Sequence, residues 1–424
     1  MPKIAVPAHI AAISRALDAA GYESVIVGGS VRDSLLGRKA KDWDLATNAT
    51  PEQVSRVFPQ TVGTTRFGTA LVPLGGELIE ITTYRTEADY SDFRRPDRVE
   101  FTGDLRVDLS RRDLTVNAIA YNPIADALID PFGGQDDLNR KLLRAVGVPQ
   151  DRFAEDALRL LRVVRFVSSL GFAIERSTAA AMRANAPLAA HLASERVGTE
   201  YARLLVGPGR VAALRAAAAL GLIDFTLPEI AGEAAGHGID VLSCLPARSS
   251  TAAFWAALYH HSAGDARSSA SVLRHRLIKL ALSEDLAVQA SRLVEAAVLP
   301  QGNYYSDEAV LWRALRRFNR AEFDAAMDIA LNCLEAARPR SRGHAGQAGE
   351  YQRFIDQARA MYDYGLPAAI KDLSINGDDL VRLGVAPGPT MGALLRDLLE
   401  ATTEKLVPND REALLRYIKS KVSV

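Results

Sequence analysis

The chain has 424 residues, 48% hydrophobic and 24% charged, with 51 Lys and Arg balancing 51 Asp and Glu. That length exceeds what one hydrophobic core usually supports, so roughly two to four modules are expected. Zero net charge excludes a basic coat over the whole surface but not a local basic groove, because attraction depends on where the charge lies; arginine is dense in "DFRRPDR", "LRLLRVVRF" and "RPRSRGH".

No stretch reaches the apolar length of a membrane span. The opening "MPKIAVPAHIAAISRAL" is broken by Pro and charge and lacks a secretory pattern, so the expected location is the cytoplasm. Cys244 and Cys333 stand far apart in sequence with no Cys or His partner nearby. They form neither a disulfide framework nor a zinc motif, and both are expected as buried thiols.

In chain order, residues 25–27 read as a buried strand. Gly28 and Gly29 follow, then "SVRDSLLG", where Ser30 resembles an N-cap and Leu35 and Leu36 start an apolar helix face. Backbone N–H groups at such a strand-to-helix turn bind phosphate oxygens, and Arg32 adds a fixed charge; the plainer alternative is a tight turn that needs positive φ. G-x-G-x-x-G is absent, so hydride transfer on a dinucleotide fits poorly. In "KDWDLAT", Asp42 and Asp44 sit at i and i+2, on one face of an extended segment with Trp43 on the other. Such a pair holds Mg²⁺ with help from substrate phosphate, although a D-x-D alone is more often a solvated turn. Residues 70–85, "ALVPLGGELIEITTYR", read as two strands joined by Gly75-Gly76 in a primed hairpin. Glu80 alternates with Ile79 and Ile81 and can present its carboxylate to the same face as the pair. "LTVNAIAYNP" continues the β-rich character to Pro123.

Beyond Pro149 the chain changes to long Ala/Leu/Arg-rich segments with helical periodicity and hardly any strand signal. The expected fold is a mixed α+β head followed by an all-helical body, with loops at "ARPRSRGHAGQAGE" (337–350) and "GVAPGPTMG". In "DRFAEDALRLLRVVRF" a helix puts Phe153, Ala157, Leu160, Leu161 and Val164 on one apolar stripe and Asp156 and Arg159, at i and i+3, on its polar side. Glu155 and Arg159 have the spacing of a routine surface ion pair. The chemistry of bases offers a sharper reading. Cytosine and adenine each show an exocyclic amino donor beside a ring-nitrogen acceptor, whereas uracil and guanine show a carbonyl beside a ring N–H. An acceptor at Asp156 with a donor at Arg159 fits the first pair and opposes the second.

A phosphate-cradling turn and a metal-holding pair about a dozen residues later point to nucleotidyl transfer from an NTP. In order, "GGSVRDSLLGR…DWD", "RRDLTVNA", "DPFGGQDDL", "EDALRLLRVVRF" and "ERVGTE" resemble the class II tRNA nucleotidyltransferase and bacterial poly(A) polymerase family. The resemblance is dense over residues 28–200 and thinner to the end, where "GDDLVRLGVAPGPTMGALL" is similar to the family's tail segment. It implies an α+β nucleotidyltransferase head (1–149) with a small mixed, largely antiparallel sheet. An all-α base-selecting neck (150–205), a body (206–336) and a tRNA-binding tail (337–424) would follow. The implied catalytic residues are Asp42, Asp44 and Glu80, with the two aspartates holding Mg²⁺. The implied nucleotide-binding residues are Gly28, Gly29, Ser30, Arg32, Arg111, Arg112, Asp113, Asn117, Glu155, Asp156, Arg159 and Arg162. Among these Glu155 orients the arginine and Asp113 accepts from a sugar hydroxyl. Gly133-Gly134 is implied as a hinge, and Glu195, Arg196 and Glu200 as supports in the neck.

The implied reaction is template-independent addition of C and A to the 3′ end of tRNA from CTP and ATP, with release of pyrophosphate. The implied partners are the acceptor stem and elbow of tRNA, with neither membrane nor DNA. Residues 87–101, "EADYSDFRRPDRVEF", match a loop needed for the A step, and "VGTTRFGTALVPL" lacks the arginine run looked for in poly(A) polymerases. Full C-C-A addition is therefore favoured over A-only addition. Two readings of another class compete. A non-catalytic RNA-binding protein is disfavoured by intact Asp42 and Asp44. A metal-dependent phosphohydrolase is disfavoured because His260-His261 lacks Asp partners at usable spacing, and that pair is read as packing or surface.

Overall fold

Helix α1 (Ala8–Ala19) buries Ile10, Ile13 and Leu17 along one stripe and leads into strand β1 (Ser24–Val27), buried along its whole length. The structure is a computed structural model that describes residues 4–40, 42–65, 67–88, 98–263, 265–301, 307–337 and 344–422. Helix α2 (Gly29–Leu35) starts directly at the Gly28 turn, and β2 (Asp44–Thr47) returns antiparallel to β1. Helix α3 (Pro51–Val57), closed by a Thr50–Gln53 capping box, precedes β3 (Gly63–Thr64), β4 (Thr69–Leu74) and β5 (Glu77–Thr83). The β4–β5 hairpin turns at Gly75 and Gly76 with φ of 64° and 83°, the left-handed pair that a primed turn requires.

Strands β6 (Arg85–Ala88) and β7 (Arg98–Phe101) pair separately, and α4 (Leu105–Ser110) follows. Residues Thr115–Asn117 of "LTVNA" form a 3₁₀ turn rather than strand, and extended structure resumes only at β8 (Ala120–Asn122) and β9 (Ala127–Ile129). Among the described residues the main sheet has the order β3-β4-β5-β2-β1-β8-β9. Its β2–β5 neighbours are parallel and the other pairs antiparallel. This is the small, largely antiparallel sheet expected of the head. One of its cores gathers Val25, Val27, Ala46, Tyr84, Leu109 and Ala120. Helix α5 (Gly134–Arg140) begins at a tightly packed corner, where a Cβ on Gly134 would lie 2.7 Å from Ile119 Cγ1. Asp130 pins that corner by accepting from the Gly134 and Gln135 N–H groups, both at 2.8 Å.

The single helix expected over residues 151–166 is two, α6 (Pro149–Glu155) and α7 (Leu158–Leu170). Asp156 between them is extended, with φ −134° and ψ 102°. Its Oδ1 accepts from the Leu158 N–H at 3.0 Å, a local side-chain bond that competes with helix continuation. The apolar stripe survives the break, because Phe153, Ala157, Leu160, Leu161 and Val164 are all buried. Helices α8 (Arg176–Asn185), α9 (Ser194–Val206), α10 (Arg210–Ala219) and α11 (Leu222–Thr226) complete a compact unit spanning Met1–Ala231. Both α9 and α10 pack on α7.

The second unit, Gly232–Val424, contains only helices among its described residues. They are α12 (Glu233–Cys244), α13 (Thr251–Tyr259), α14 (Ala266–Lys279), α15 (Glu284–Ala297), α16 (Glu308–Leu315), α17 (Arg320–Ala337), α18 (His344–Tyr364), α19 (Gly377–Arg382), α20 (Pro389–Thr403) and α21 (Arg411–Val422). Helix α13, "TAAFWAALY", is apolar on every side and is buried from Ala252 to Tyr259, with α12, α14, α15 and α17 around it. The last helices share their own core, which includes Leu380, Leu398, Leu414 and Ile418. The loop expected over 337–350 is helical from His344, and residues 338–343 lie outside the described residues. Cys244 is exposed and Cys333 only partly buried, so the expectation of two buried thiols fails. His260 is buried and His261 exposed. No helix among the described residues is long and apolar enough to cross a membrane.

Candidate active site

The register of β1 on β2 sets Val27 opposite Asp44, so the glycine turn and the carboxylate reach the same end of the sheet. Gly28 has φ 78° and ψ −134°. A Cβ there would lie 3.3 Å from Arg112 Nη1 and 3.8 Å from Asp44 Oδ2. Both the backbone conformation and the closeness of Arg112 therefore call for glycine. A cleft of about 490 Å³ opens over this turn, lined by Gly28, Gly29, Arg32, Asp42, Asp44, Arg112, Asp113, Asn117, Asp156, Arg159, Arg162, Arg165, Phe166 and Arg203. Its volume is in the range of small-ligand sites.

Asp42 and Asp44 both line this cleft, Asp44 as the first residue of β2 and Asp42 from the segment before it. The parallel pairing of Leu45 with Ile81 puts Glu80 level with Asp44 on the neighbouring strand. Glu80 itself is exposed and is not among the lining residues. The Asp44 carboxyl is held above the usual carboxylate value, first by partial desolvation and next by Glu80; Arg112 opposes the rise and Asp42 adds to it. Neighbouring carboxylates that disfavour one another's charge form an oxygen-rich donor set of the kind that suits a hard divalent cation.

Ser30 does not cap the helix. The N-cap is Gly28, and the buried Ser30 hydroxyl turns back to the Val27 carbonyl at 3.4 Å. Arg32 donates from Nη1 to Asn117 Oδ1 at 2.6 Å and from Nε to Asp33 Oδ1 at 2.9 Å, and its guanidinium lies 5.2 Å from the centre of the Phe166 ring. Arg111 is turned toward Asp108, with Nε and Nη2 at 2.9 and 2.8 Å from Oδ1, and it is absent from the cleft lining. What it offers the site is its carbonyl, which accepts from Arg159 Nη2 at 2.8 Å. Arg112 does line the cleft, and among the described residues its buried Nε has no hydrogen-bond partner.

Asp113 was expected as a free acceptor for a sugar hydroxyl. Its Oδ1 already accepts from the Leu114 N–H at 2.8 Å and Asn117 Nδ2 at 2.9 Å. Its Oδ2 accepts from Arg162 Nε at 2.8 Å and Nη2 at 2.7 Å. Two acceptor sites per oxygen are thus filled, and Asp113 positions Arg162 instead. Burial pushes the Asp113 carboxyl up, but Arg162 and the bond from Asn117 carry it well below the ordinary range.

On α6, Glu155 Oε2 accepts from Arg159 Nη1 at 2.8 Å. Arg159 also gives Nη1 to the Arg152 carbonyl at 3.2 Å, and Nη2 to Arg111 as above. Among the described residues these bonds engage three of its five N–H donors, which leaves two for a ligand. Asp156 accepts the Leu158 N–H on Oδ1 and Arg196 Nη2 on Oδ2 at 3.2 Å, which leaves acceptor capacity on each oxygen. Arg165 donates from Nε to Glu200 Oε2 at 2.6 Å and lies 4.1 Å from the Phe166 ring centre. Arg196 and Glu200 therefore brace residues of the cleft from α9. Sequence reasoning missed Arg165, Phe166 and Arg203. The first could have been found, because Arg159, Arg162 and Arg165 recur every three residues on one face of α7.

Three family models match the chain: the poly A polymerase head domain over residues 24–144, the probable RNA and SrmB-binding site of polymerase A over 171–233, and the putative tRNA nucleotidyltransferase domain 2 over 247–418. The chain is 36% identical over 414 residues to the CCA-adding enzyme of Lactiplantibacillus plantarum, covering 96% of this chain and 94% of that one. It is 34% identical to the CCA-adding enzyme of Geobacillus stearothermophilus over 404 residues, covering 95% and 94%. The chain belongs to the CCA-adding enzyme family. The crystal structure of the Bacillus stearothermophilus CCA-adding enzyme in complex with CTP matches it with a TM-score of 0.71 and 30% identity, over 98% of this chain and 97% of that one. The Thermotoga maritima CCA-adding enzyme complexed with tRNA_CCA shares the fold, at a TM-score of 0.66 and 20% identity over 97% and 94% of the two chains. Of the segment that the resemblance ties to the A step, residues 89–97 lie outside the described residues.

Proposed function

We propose that this member of the family adds C and A to the 3′ end of tRNA in the cytoplasm, from CTP and ATP, without a nucleic-acid template. The observation that carries the proposal is one cleft in which the Gly28 turn, Asp42 and Asp44 face Asp156 and Arg159. Amides of the turn and the guanidinium of Arg112 bind the triphosphate. Asp156 accepts from the exocyclic amino group of the base, and Arg159 donates to its ring nitrogen. Such paired contacts discriminate by about 1–3 kcal/mol, roughly ten- to over a hundredfold. Arg162 and Arg32, fixed by Asp113 and Asn117, supply positive charge around the nucleotide.

Asp42 and Asp44, with Glu80 beside them, suit a hard divalent ion, and Mg²⁺ is the one proposed. When bound, Mg²⁺ supplies activation of the tRNA 3′-hydroxyl and neutralisation of the leaving pyrophosphate. The 3′-hydroxyl gives up its proton to solvent, its oxygen bonds to the α-phosphorus of CTP or ATP, and the bond from that phosphorus to the bridging oxygen breaks, releasing pyrophosphate. The head ends near residue 149 in this reading, the neck selects the base, and the body and tail (206–336 and 337–424) hold the acceptor stem and elbow of tRNA through phosphate contacts, so affinity falls with salt.

The decisive experiment offers purified protein three tRNAs, ending before C-C-A, after the first C and after C-C, with each NTP in turn. Ordered incorporation of C, C and A is expected. Incorporation of A alone identifies an A-adding enzyme or poly(A) polymerase. Binding of tRNA without incorporation identifies an RNA-binding protein and overturns the proposal.

A further inference from the structure

The cysteines and histidines that show no metal spacing in the sequence meet in the second unit. His237 lies in α12, His261 follows the C-terminal end of α13, and Cys333 lies in α17. One ligand atom from each of the three falls within 4.8 Å of the others. The His237 and His261 rings are 4.7 Å apart between centres and tilted by 57°. The closeness of the two rings has a backbone cause. Gly238, next to His237, lets α12 press against α13, and a Cβ there would sit 2.9 Å from the Leu258 Cα. That contact is three residues before His261.

We propose that His237, His261 and Cys333 form a binding site for Zn²⁺ that clamps α12, the end of α13 and α17 together. Two imidazoles and one thiolate are the donor set of a borderline-soft ion and a poor one for Mg²⁺. Around a tetrahedral zinc the ligand atoms stand about 3.3–3.7 Å apart, so the cluster must close by about 1 Å. His261 is exposed on the corner after α13 and has the freedom to move, and its exposure gives an ion a path of entry. A fourth position is left for water, as in zinc sites that keep three protein ligands. Its donor set differs from the carboxylates of the cleft, which offer oxygen alone.

The test uses full-length, tag-free protein, chelator-treated and kept reduced, titrated with Co²⁺ in excess Mg²⁺. One Co²⁺ per chain is expected, with a thiolate-to-cobalt charge-transfer band that Zn²⁺ abolishes by displacement. Cys333→Ser should remove the band. His237→Ala and the exposed His261→Ala should each weaken Co²⁺ binding at least tenfold, with far-UV circular dichroism reporting that each variant is folded. Asp42→Ala should leave the band unchanged. Zn²⁺ should raise the Tm of the parent chain and not that of Cys333→Ser. Absence of the band, its survival in Cys333→Ser, or unchanged affinity in folded His261→Ala overturns the proposal.

Discussion

Asp113 and Arg162 form a two-pronged ion pair, with Nε and Nη2 of the arginine 2.8 and 2.7 Å from one carboxylate oxygen. It fastens α7 to the segment that precedes the 3₁₀ turn, and it leaves Asp113 almost wholly enclosed. Removing the arginine strands a buried negative charge, which typically costs about 3–5 kcal/mol. Arg162 is a third exposed, so Arg162→Ala is expected near the lower figure, read from urea unfolding. The sign with pH follows from the lowered Asp113 value. Its stabilisation is fully present above the unfolded carboxylate pKa of about 4 and is lost as pH falls toward the folded value. The stability gap between parent and Asp113→Asn should therefore be largest near neutrality and shrink below about pH 4. A gap that grows on acidification would contradict the pairing.

Base choice should depend on Asp156 and Arg159 far more than total activity does. Asp156→Ala or Arg159→Ala is expected to cut discrimination of CTP and ATP against UTP and GTP by about ten- to a hundredfold. Asp42→Ala should instead abolish transfer with every NTP. Arg196→Ala removes only the brace on Asp156 Oδ2, so it should reduce selectivity partially. Competition assays with paired NTPs measure this, and full selectivity in Arg159→Ala would remove the base-reading role.

The head was legible because its signals are local. A strand, a double glycine and an i, i+2 carboxylate pair each announce themselves, and the β1–β2 register then brings them together. The hairpin at Gly75-Gly76 was legible for the same reason. Asp156 shows what pattern alone misses. The apolar stripe runs through residues 153–164 without a flaw, yet the helix breaks there, because an Asp side chain can satisfy the Leu158 N–H that a helix would have bonded. Asp113 and Arg111 were readable as site-linked but not as engaged, since their partners Arg162 and Asp108 are chosen by tertiary packing. The cluster of His237, His261 and Cys333 was invisible in sequence because two helices, α12 and α17, and the corner after α13 supply it.

Gly28 and Gly76 separate backbone strain from crowding. Both have positive φ, 78° and 83°, but only Gly28 faces neighbours, with Arg112 Nη1 at 3.3 Å from the position of an added Cβ; Gly76 has open space. An Ala at either position carries a positive-φ backbone penalty of about 1–3 kcal/mol. Gly76→Ala should show only that loss of stability, with kcat/KM unchanged. Gly28→Ala displaces Arg112 as well and should raise KM for CTP and ATP at least tenfold. Equal kinetics in the two variants would show that the turn does not meet the triphosphate.

The acid limb of the reaction should report on Asp44 and, through it, on Glu80. Desolvation, Glu80 and Asp42 raise the Asp44 carboxyl, so the folded chain takes up its proton at a higher pH than a free aspartate does. A protonated Asp44 is a poor ligand for a divalent cation, so loading of the metal-free chain, and with it kcat/KM at limiting Mg²⁺, should fall as pH drops through the raised value. Glu80→Gln removes the largest charge contribution to that rise, so its kcat/KM profile should shift to lower pH on the acid side. For stability the sign is opposite to that at Asp113. Ionised Asp44 is disfavoured by folding, so its cost is present at neutral pH and vanishes below the unfolded value. Asp44→Asn should accordingly be inactive yet raise Tm at pH 7 in the absence of divalent cation. A Glu80→Gln profile that superimposes on the parent would mean that Glu80 does not act on Asp44 during the reaction.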